Sequence, residues 1–227
     1  MAAFFQQIGS AFAYSGSIVL SIKDGLLYTL GLFFITALLS LPLGLGLCFL
    51  RISKNRALRG FTAAYVWLLR GTPLLLQLFF VCYGLAFIPY IGKYLVMGRF
   101  ESACVAFVLN YAAYFCEIFR GGILSIDKGQ YEAAQVLGFS KGQTTLRIVI
   151  PQMLKVSLPS ITNECITLVK DTALVTAIGI TELLYFSKSI VNRDVNPMAY
   201  VVVAAIYLIM TYGLTALFKK LEARYRF

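Results

Sequence analysis

Apolar residues run in long blocks along this chain, and five blocks meet or approach the length of a membrane-crossing helix. Such a helix needs about 20 residues, at 1.5 Å each, to span about 30 Å of hydrocarbon. The first block, 26–50, is followed at once by Arg51, Lys54, Arg56 and Arg59. The second opens near Thr72-Pro73, a pair suited to an N-cap and first helical turn, and ends near Ile91, with a partly amphipathic stretch (58–69) leading into it. The third is 102–119. The fourth, 152 to about 184, contains Pro159 and several ionisable residues, and predicts a broken or bent helix. The fifth, 198–218, carries no charge. Pro42, Gly44 and Gly46 in the first block predict close packing and a local bend. Residues 4–20 mix Phe and Ile with Gln, Ser and Gly, which predicts an interfacial helix lying on the outer surface. The expected organisation is an outer interfacial segment at 1–24 and one transmembrane domain at 25–227, with an ordered cytoplasmic loop at about 125–150.

Composition supports the membrane assignment. The chain is 59% apolar and 13% charged, whereas a soluble domain is about half apolar and about a quarter charged. Its net charge of +10 would suit nucleic acid if the cations formed one stripe, but they collect in short segments between the apolar blocks. Four follow the first block, five lie between Arg120 and Lys155, and four stand at the C-terminus. Only Lys23, Lys93, Arg99, Lys188 and Arg193 fall on the opposite side. Basic loops stay cytoplasmic, so the expected topology has the N-terminus outside and the C-terminus inside. Met1 is followed by no basic region ahead of the first apolar residues, so no cleaved signal peptide is expected. Histidine is absent, which removes the commonest general base and metal ligand. Cys48, Cys82, Cys104, Cys116 and Cys165 lie in or beside apolar blocks without metal-ligand spacing.

The polar segment after the third block is too patterned for a linker. Asp127 with Gln130, and Ser140 with Gln143, each place an N-cap residue three positions before a side chain able to reach back to it. Gly138 between them can take the left-handed turn that ends a helix. A short helix, a turn and a second helix are predicted. Glu132, Ala133, Ala134, Leu137 and Gly138 then form a low surface with an apolar knob and a charge, suited either to docking in another protein's groove or to capping the chain's own helices.

Glu132-Ala133-Ala134, Gly138 and then Ile150-Pro151 resemble the signature loop of permease subunits in binding-protein-dependent ATP-binding cassette (ABC) importers. Arg70-Gly71-Thr72-Pro73-Leu74-Leu75-Leu76-Gln77, Asn110-Tyr111-Ala112-Ala113-Tyr114, Glu117 to Ile123, and Asn163-Glu164 ahead of Lys170-Asp171-Thr172 are similar to the polar amino acid permeases. Ala173 stands where that family often has serine. The resemblance covers about residues 25–220. It implies an all-α polytopic protein of type I importer architecture, with about five spans and a cytoplasmic coupling helix. It further implies half of a translocation pathway for a polar amino acid, in a bacterial inner membrane. The implied partners are a cytosolic ATP-binding subunit dimer, a second permease copy (identical or related), and an extracytoplasmic amino acid binding protein. No nucleic acid is expected. No cofactor is expected on this chain, with ATP and Mg held by the partner ATPase.

Polar groups inside spans are costly and should face a partner or a cavity. Asn110, Ala113, Glu117 and Arg120 share one stripe of the third span by helical spacing, and Glu117 could line a pathway or simply pair with Arg120. Asn163, Thr167 and Lys170 form a second stripe beside Glu164 and Asp171. An amino acid needs an acceptor for its ammonium and donors for its carboxylate, and Glu164, Asn163 and Thr167 supply both. The resemblance places this region beside the pathway and ranks Glu164 above Glu117. Gln77 fits either an interhelical hydrogen bond or a pathway position. Arg70 is expected to snorkel to the interface, and Lys170 could pair with Asp171. There is no phosphate-binding loop, since Gly138 to Thr144 places its lysine before the glycine. Energy is therefore expected from another subunit, and this chain is not expected to be an enzyme. A self-contained secondary transporter would show an internal repeat, and a membrane enzyme a paired carboxylate or an activated nucleophile; neither pattern occurs.

Overall fold

The computed structural model describes residues 2–225, with side chains from Tyr14 to Arg224. Helix α1 (Ala2–Arg51) runs without interruption. The expected boundary at residue 25 has no structural mark, because the polar residues ahead of it remain helical. The Ser17 hydroxyl donates to the Tyr14 carbonyl at 2.7 Å and that of Ser21 to the Ser17 carbonyl at 2.9 Å, so both are satisfied within the helix. Part of the expected interfacial segment, residue 1 and the side chains of 2–13, lies outside the described residues.

Helix α2 (Arg56–Gly71) starts where the Asn55 side chain accepts from the backbone of Ala57 and Leu58. Thr72-Pro73 opens a helix as expected, but at an elbow that directly follows α2. Thr72 is extended (φ −117°, ψ 146°), as a residue before proline tends to be. The chain resumes as α3 (Leu74–Phe79), which continues in wider and then tighter turns to Phe87, and the two arms bend by 105°. Helix α4 (Arg99–Leu124) follows, then the short α5 (Lys128–Val136) and α6 (Lys141–Thr144). Through a wide turn α6 leads into α7 (Ile150–Asp171), which tightens over Thr172–Ile178. Pro159 does not break α7, contrary to expectation. The break falls at Gly179, whose φ of 77° is left-handed, a conformation that glycine adopts without a Cβ clash and that ends helices. There the chain bends by 56° into α8 (Leu183–Asp194). Asn196 then caps α9 (Met198–Tyr225), its Oδ1 accepting from the Met198 N–H at 2.9 Å.

Among the described residues three helices can each cross a membrane by length and composition (Tyr14–Arg51, Arg99–Leu124 and Met198–Arg224), and up to five spans result if each bent pair counts as one. The backbone divides into two compact units. One contains residues 2–35, 78–105 and 166–213. Its core packs Ile18 and Ile22 of α1 with Leu183 and Ile190 of α8 and Ala199 and Val203 of α9, and Tyr14 donates to Asp194 Oδ2 at 2.6 Å. The other contains 36–77, 106–165 and 214–225. Here α1 meets α4 so closely that a Cβ on Gly44 would lie 2.7 Å from that of Phe115, the close approach that small residues permit between membrane helices. Gly46 faces open space, so the expected close packing holds at Gly44 only.

Candidate functional site

The loop at 125–150 is as ordered as its caps predict, with one change. Asp127 accepts from the Gly129 N–H at 2.7 Å, but Gln130 does not return the bond. Its Oε1 accepts instead from Gln152 Nε2 at 3.0 Å, which ties α5 to α7. The second box is complete, Ser140 N–H donating to Gln143 Oε1 at 2.8 Å and Gln143 N–H to Ser140 Oγ at 3.3 Å. Between them the Phe139 N–H donates to the Ala134 carbonyl and the Gly138 N–H to that of Gln135, each at 3.0 Å. With Gly138 at φ 75°, this is a full Schellman closure. Glu132, Ala133, Leu137 and Gly138 are exposed, whereas Ala134 is buried in the chain's own fold and leaves the expected docking surface. Val136 is 87% exposed beside Leu137 at 73%. Its apolar, β-branched character was the available signal.

The elbow gathers Gln77 and Asn110. Gln77 Nε2 lies within hydrogen-bonding distance of the Leu69 carbonyl at 2.8 Å and of both Thr72 oxygens, and Asn110 Nδ2 reaches the same Leu69 carbonyl at 3.0 Å and Gln77 Oε1 at 2.9 Å. The last carbonyls of a helix lack intrahelical donors, and these two amides supply them. Gln77 thus makes the interhelical bond, one of the two roles its position allowed. Nearby, Glu117 Oε2 accepts from Arg120 at 2.9 and 2.7 Å, and Arg51 Nε stands 3.6 Å from Oε1. Arg70 lies over the Tyr114 ring, 5.1 Å from its centre, held by a cation–π contact as well as by any snorkelling.

Along α7, Asn163, Thr167 and Lys170 are exposed, while Glu164 and Asp171 are half-buried and engaged by other groups. Lys170 makes no ion pair with Asp171 or with any other described residue. The sequence reading missed Glu182. It is fully buried, caps α8 by accepting from the Tyr185 N–H at 2.8 Å, and accepts from the hydroxyls of Thr176 and, at 3.0 Å, Tyr207. Glutamate is not among the favoured N-cap residues, and Tyr207 is distant in sequence; the break signalled by Gly179 was the available clue.

Residues 39–227 match the family of binding-protein-dependent transport system inner membrane components. The chain belongs to this family. It is a multi-pass inner-membrane permease of the ABC importer class, not itself catalytic. The permease is 36% identical over 205 residues to the L-cystine transport system permease protein of Bacillus subtilis, covering 89% of this chain and 86% of that protein. It is also 36% identical over 206 residues to the arginine transport system permease protein of the same organism (89% and 91%), and over 197 residues to the nopaline transport system permease protein of Agrobacterium fabrum (83% and 81%). Among solved structures it resembles an amino acid ABC transporter crystallised with histidines (TM-score 0.81, 30% identity, 95% of this chain and 97% of that one). An inward-facing methionine ABC transporter shares the fold alone (TM-score 0.72, 20% identity, 91% and 94%). The type I permease architecture expected from the sequence is thereby established.

Proposed function

We propose that this permease forms half of the ATP-driven import pathway for a polar amino acid. In this reading the outer binding protein delivers the substrate, a second permease copy, identical or related, completes the pathway, and ATP and Mg are bound by a cytosolic ATPase dimer. The N-terminus faces outward. The observation that carries the reading is the α5 hairpin, capped at both ends and exposing Glu132, Val136 and Leu137. An ordered helix that leaves apolar side chains in the open fits a groove on a partner. Relatives named as cystine, arginine and nopaline permeases support an amino acid substrate and disfavour the secondary-transporter and enzyme alternatives.

Pathway residues are assigned to α7, with Glu164 as acceptor for the ammonium and Asn163 and Thr167 as hydrogen-bonding neighbours. Gln77, Asn110 and Glu117 are assigned to holding the helices, since each already spends its side chain on hydrogen bonds or ion pairs within the chain. The test is uptake of labelled L-cystine, L-arginine, L-glutamine and L-histidine into proteoliposomes. These contain the complex purified through a tag on this chain, supplied with its binding protein. Uptake of at least one, abolished when ATP is replaced by a non-hydrolysable analogue, is expected; uptake indifferent to ATP would overturn the reading.

A further inference from the structure

A cleft of about 430 Å³ opens in the unit that contains the end of α7 and most of α9, lined by Lys170, Ala173, Ala204, Tyr207, Leu208 and Thr211. Its one charged group is Lys170. Counted from Lys155, on the expected cytoplasmic side, fifteen residues of unbroken helix rise about 22 Å, a depth that lies within a hydrocarbon layer about 30 Å thick. An ionised group there is costly and pairs or faces a cavity, yet Lys170 has no hydrogen bond or ion pair among the described residues. No counter-charge for it stands among the described residues.

Of the acidic residues an identical copy would present, Asp24 and Glu101 are exposed and make no ion pair among the described residues, whereas the buried and half-buried ones are committed. Glu164 and Asp171 are engaged, Glu117 is paired with Arg120 and Arg51, and Glu182 already accepts from three donors. The cleft itself suits a small molecule, being within the size range of ligand pockets. Ala173 and Ala204 leave it open, and the Tyr207 hydroxyl is held by Glu182. We infer that Lys170 receives the carboxylate of the transported amino acid in this cleft, an inference that rests on the import reading above. Lysine acts on a carboxylate as a point charge on a flexible stem, so it can follow a substrate passing through without a fixed bidentate geometry.

The test is equilibrium binding to the detergent-purified complex without its binding protein. The probes are labelled L-cystine, L-arginine, L-glutamine and L-histidine, each competed by its decarboxylated counterpart: cystamine, agmatine, 4-aminobutanamide or histamine. The unaltered complex should favour the amino acid over the amine. In Lys170→Gln the affinity for the amino acid should fall roughly ten- to a hundredfold, the loss of one charge-assisted bond, and the preference over the amine should collapse. Lys170→Arg should keep the preference. Ala204→Phe, which fills the cleft and leaves the charge, should weaken amino acid and amine alike. Retained affinity and preference in Lys170→Gln would overturn the inference, as would a variant whose only defect is low complex yield, since that marks a pairing between subunits. If the unaltered complex neither binds nor, with ATP, takes up any of the four, the import reading itself fails.

Discussion

The side-chain carbonyl of Gln77 accepts from Asn110 Nδ2 at 2.9 Å while both amides point at the Leu69 carbonyl. Two polar residues, 33 positions apart, thereby close the end of α2 at the elbow. Replacing Asn110 by leucine removes a donor to Leu69 and strands the Gln77 oxygen. An unpaired polar group costs up to about 1 to 3 kcal/mol when buried, and Gln77 is half-buried, so thermal unfolding of the detergent-solubilised complex should move to lower temperature while substrate affinity in the surviving fraction stays unchanged. A shift in affinity with normal thermal stability would instead put Asn110 in the pathway.

Glu182 ties three pieces of one unit together, through Thr176, the start of α8, and Tyr207 of α9. No Lys or Arg balances it among the described residues, so its charge depends on hydrogen bonds alone. Tyr207→Phe keeps the ring and removes one donor to a buried carboxylate, worth about 1.5 to 3 kcal/mol. Lower thermal stability is expected, with rescue by Glu182→Gln in the same background, because a neutral amide loses less when a donor goes. Absence of that rescue would show that Tyr207 acts through packing.

Legibility in the sequence followed the range of the interactions involved. Gly138 and the Ser140–Gln143 box were readable because a left-handed turn and a cap are fixed within a few residues, and the apolar blocks were readable because membrane length is a local property. The Gln130 bond to Gln152, the burial of Ala134 and the Glu182–Tyr207 contact were not, since each depends on a segment brought in by tertiary packing. Pro159 does not set the break, since α7 continues through it. Membrane helices accommodate proline when neighbouring groups satisfy the freed backbone, and the break went to Gly179, where the backbone conformation itself required it. Thr72-Pro73 carried the right signal for a helix start, but an equally ordered helix, α2, ends immediately before it.

Gly138 offers a test of coupling. At φ 75° a β-branched side chain is strained, and Gly138→Val should open the Schellman closure and let the hairpin carrying Val136 and Leu137 fray. Membrane insertion and substrate binding should survive, because a Cβ at this position meets no neighbour within 4 Å. Substrate-stimulated ATP hydrolysis and uptake should both fall. Wild-type uptake by this variant would remove the hairpin from the coupling mechanism.

Orientation can be tested by labelling in a background with the five cysteines replaced by alanine. A cysteine introduced at Lys93, in the loop before α4, should react with a membrane-impermeant maleimide on intact cells. Cysteines at Ser53 and Lys141 should react only after permeabilisation, as the positive-inside bias requires. Free labelling at Ser53 on intact cells would reverse the topology.

Glu164 remains the sharpest test of the pathway. It is half-buried on α7 and already engaged by another group, so it either exchanges that partner for the substrate ammonium or is purely structural, and the two cases separate in one variant. Glu164→Gln preserves shape and removes the charge. If the carboxylate meets the ammonium, the loss of a charge-assisted bond worth about 1.5 to 3 kcal/mol lowers substrate affinity roughly ten- to a hundredfold, while complex yield and basal ATP hydrolysis hold. If instead it balances a cation within the assembly, removing one partner leaves a buried charge uncompensated, at about 3 to 5 kcal/mol, and yield falls first. The pathway assignment predicts the former pattern, measured as substrate affinity and purified complex yield on the same preparation. Normal affinity with poor yield would move Glu164 to the structural set with Glu117 and leave Asn163 and Thr167 as the polar groups of α7 to examine next.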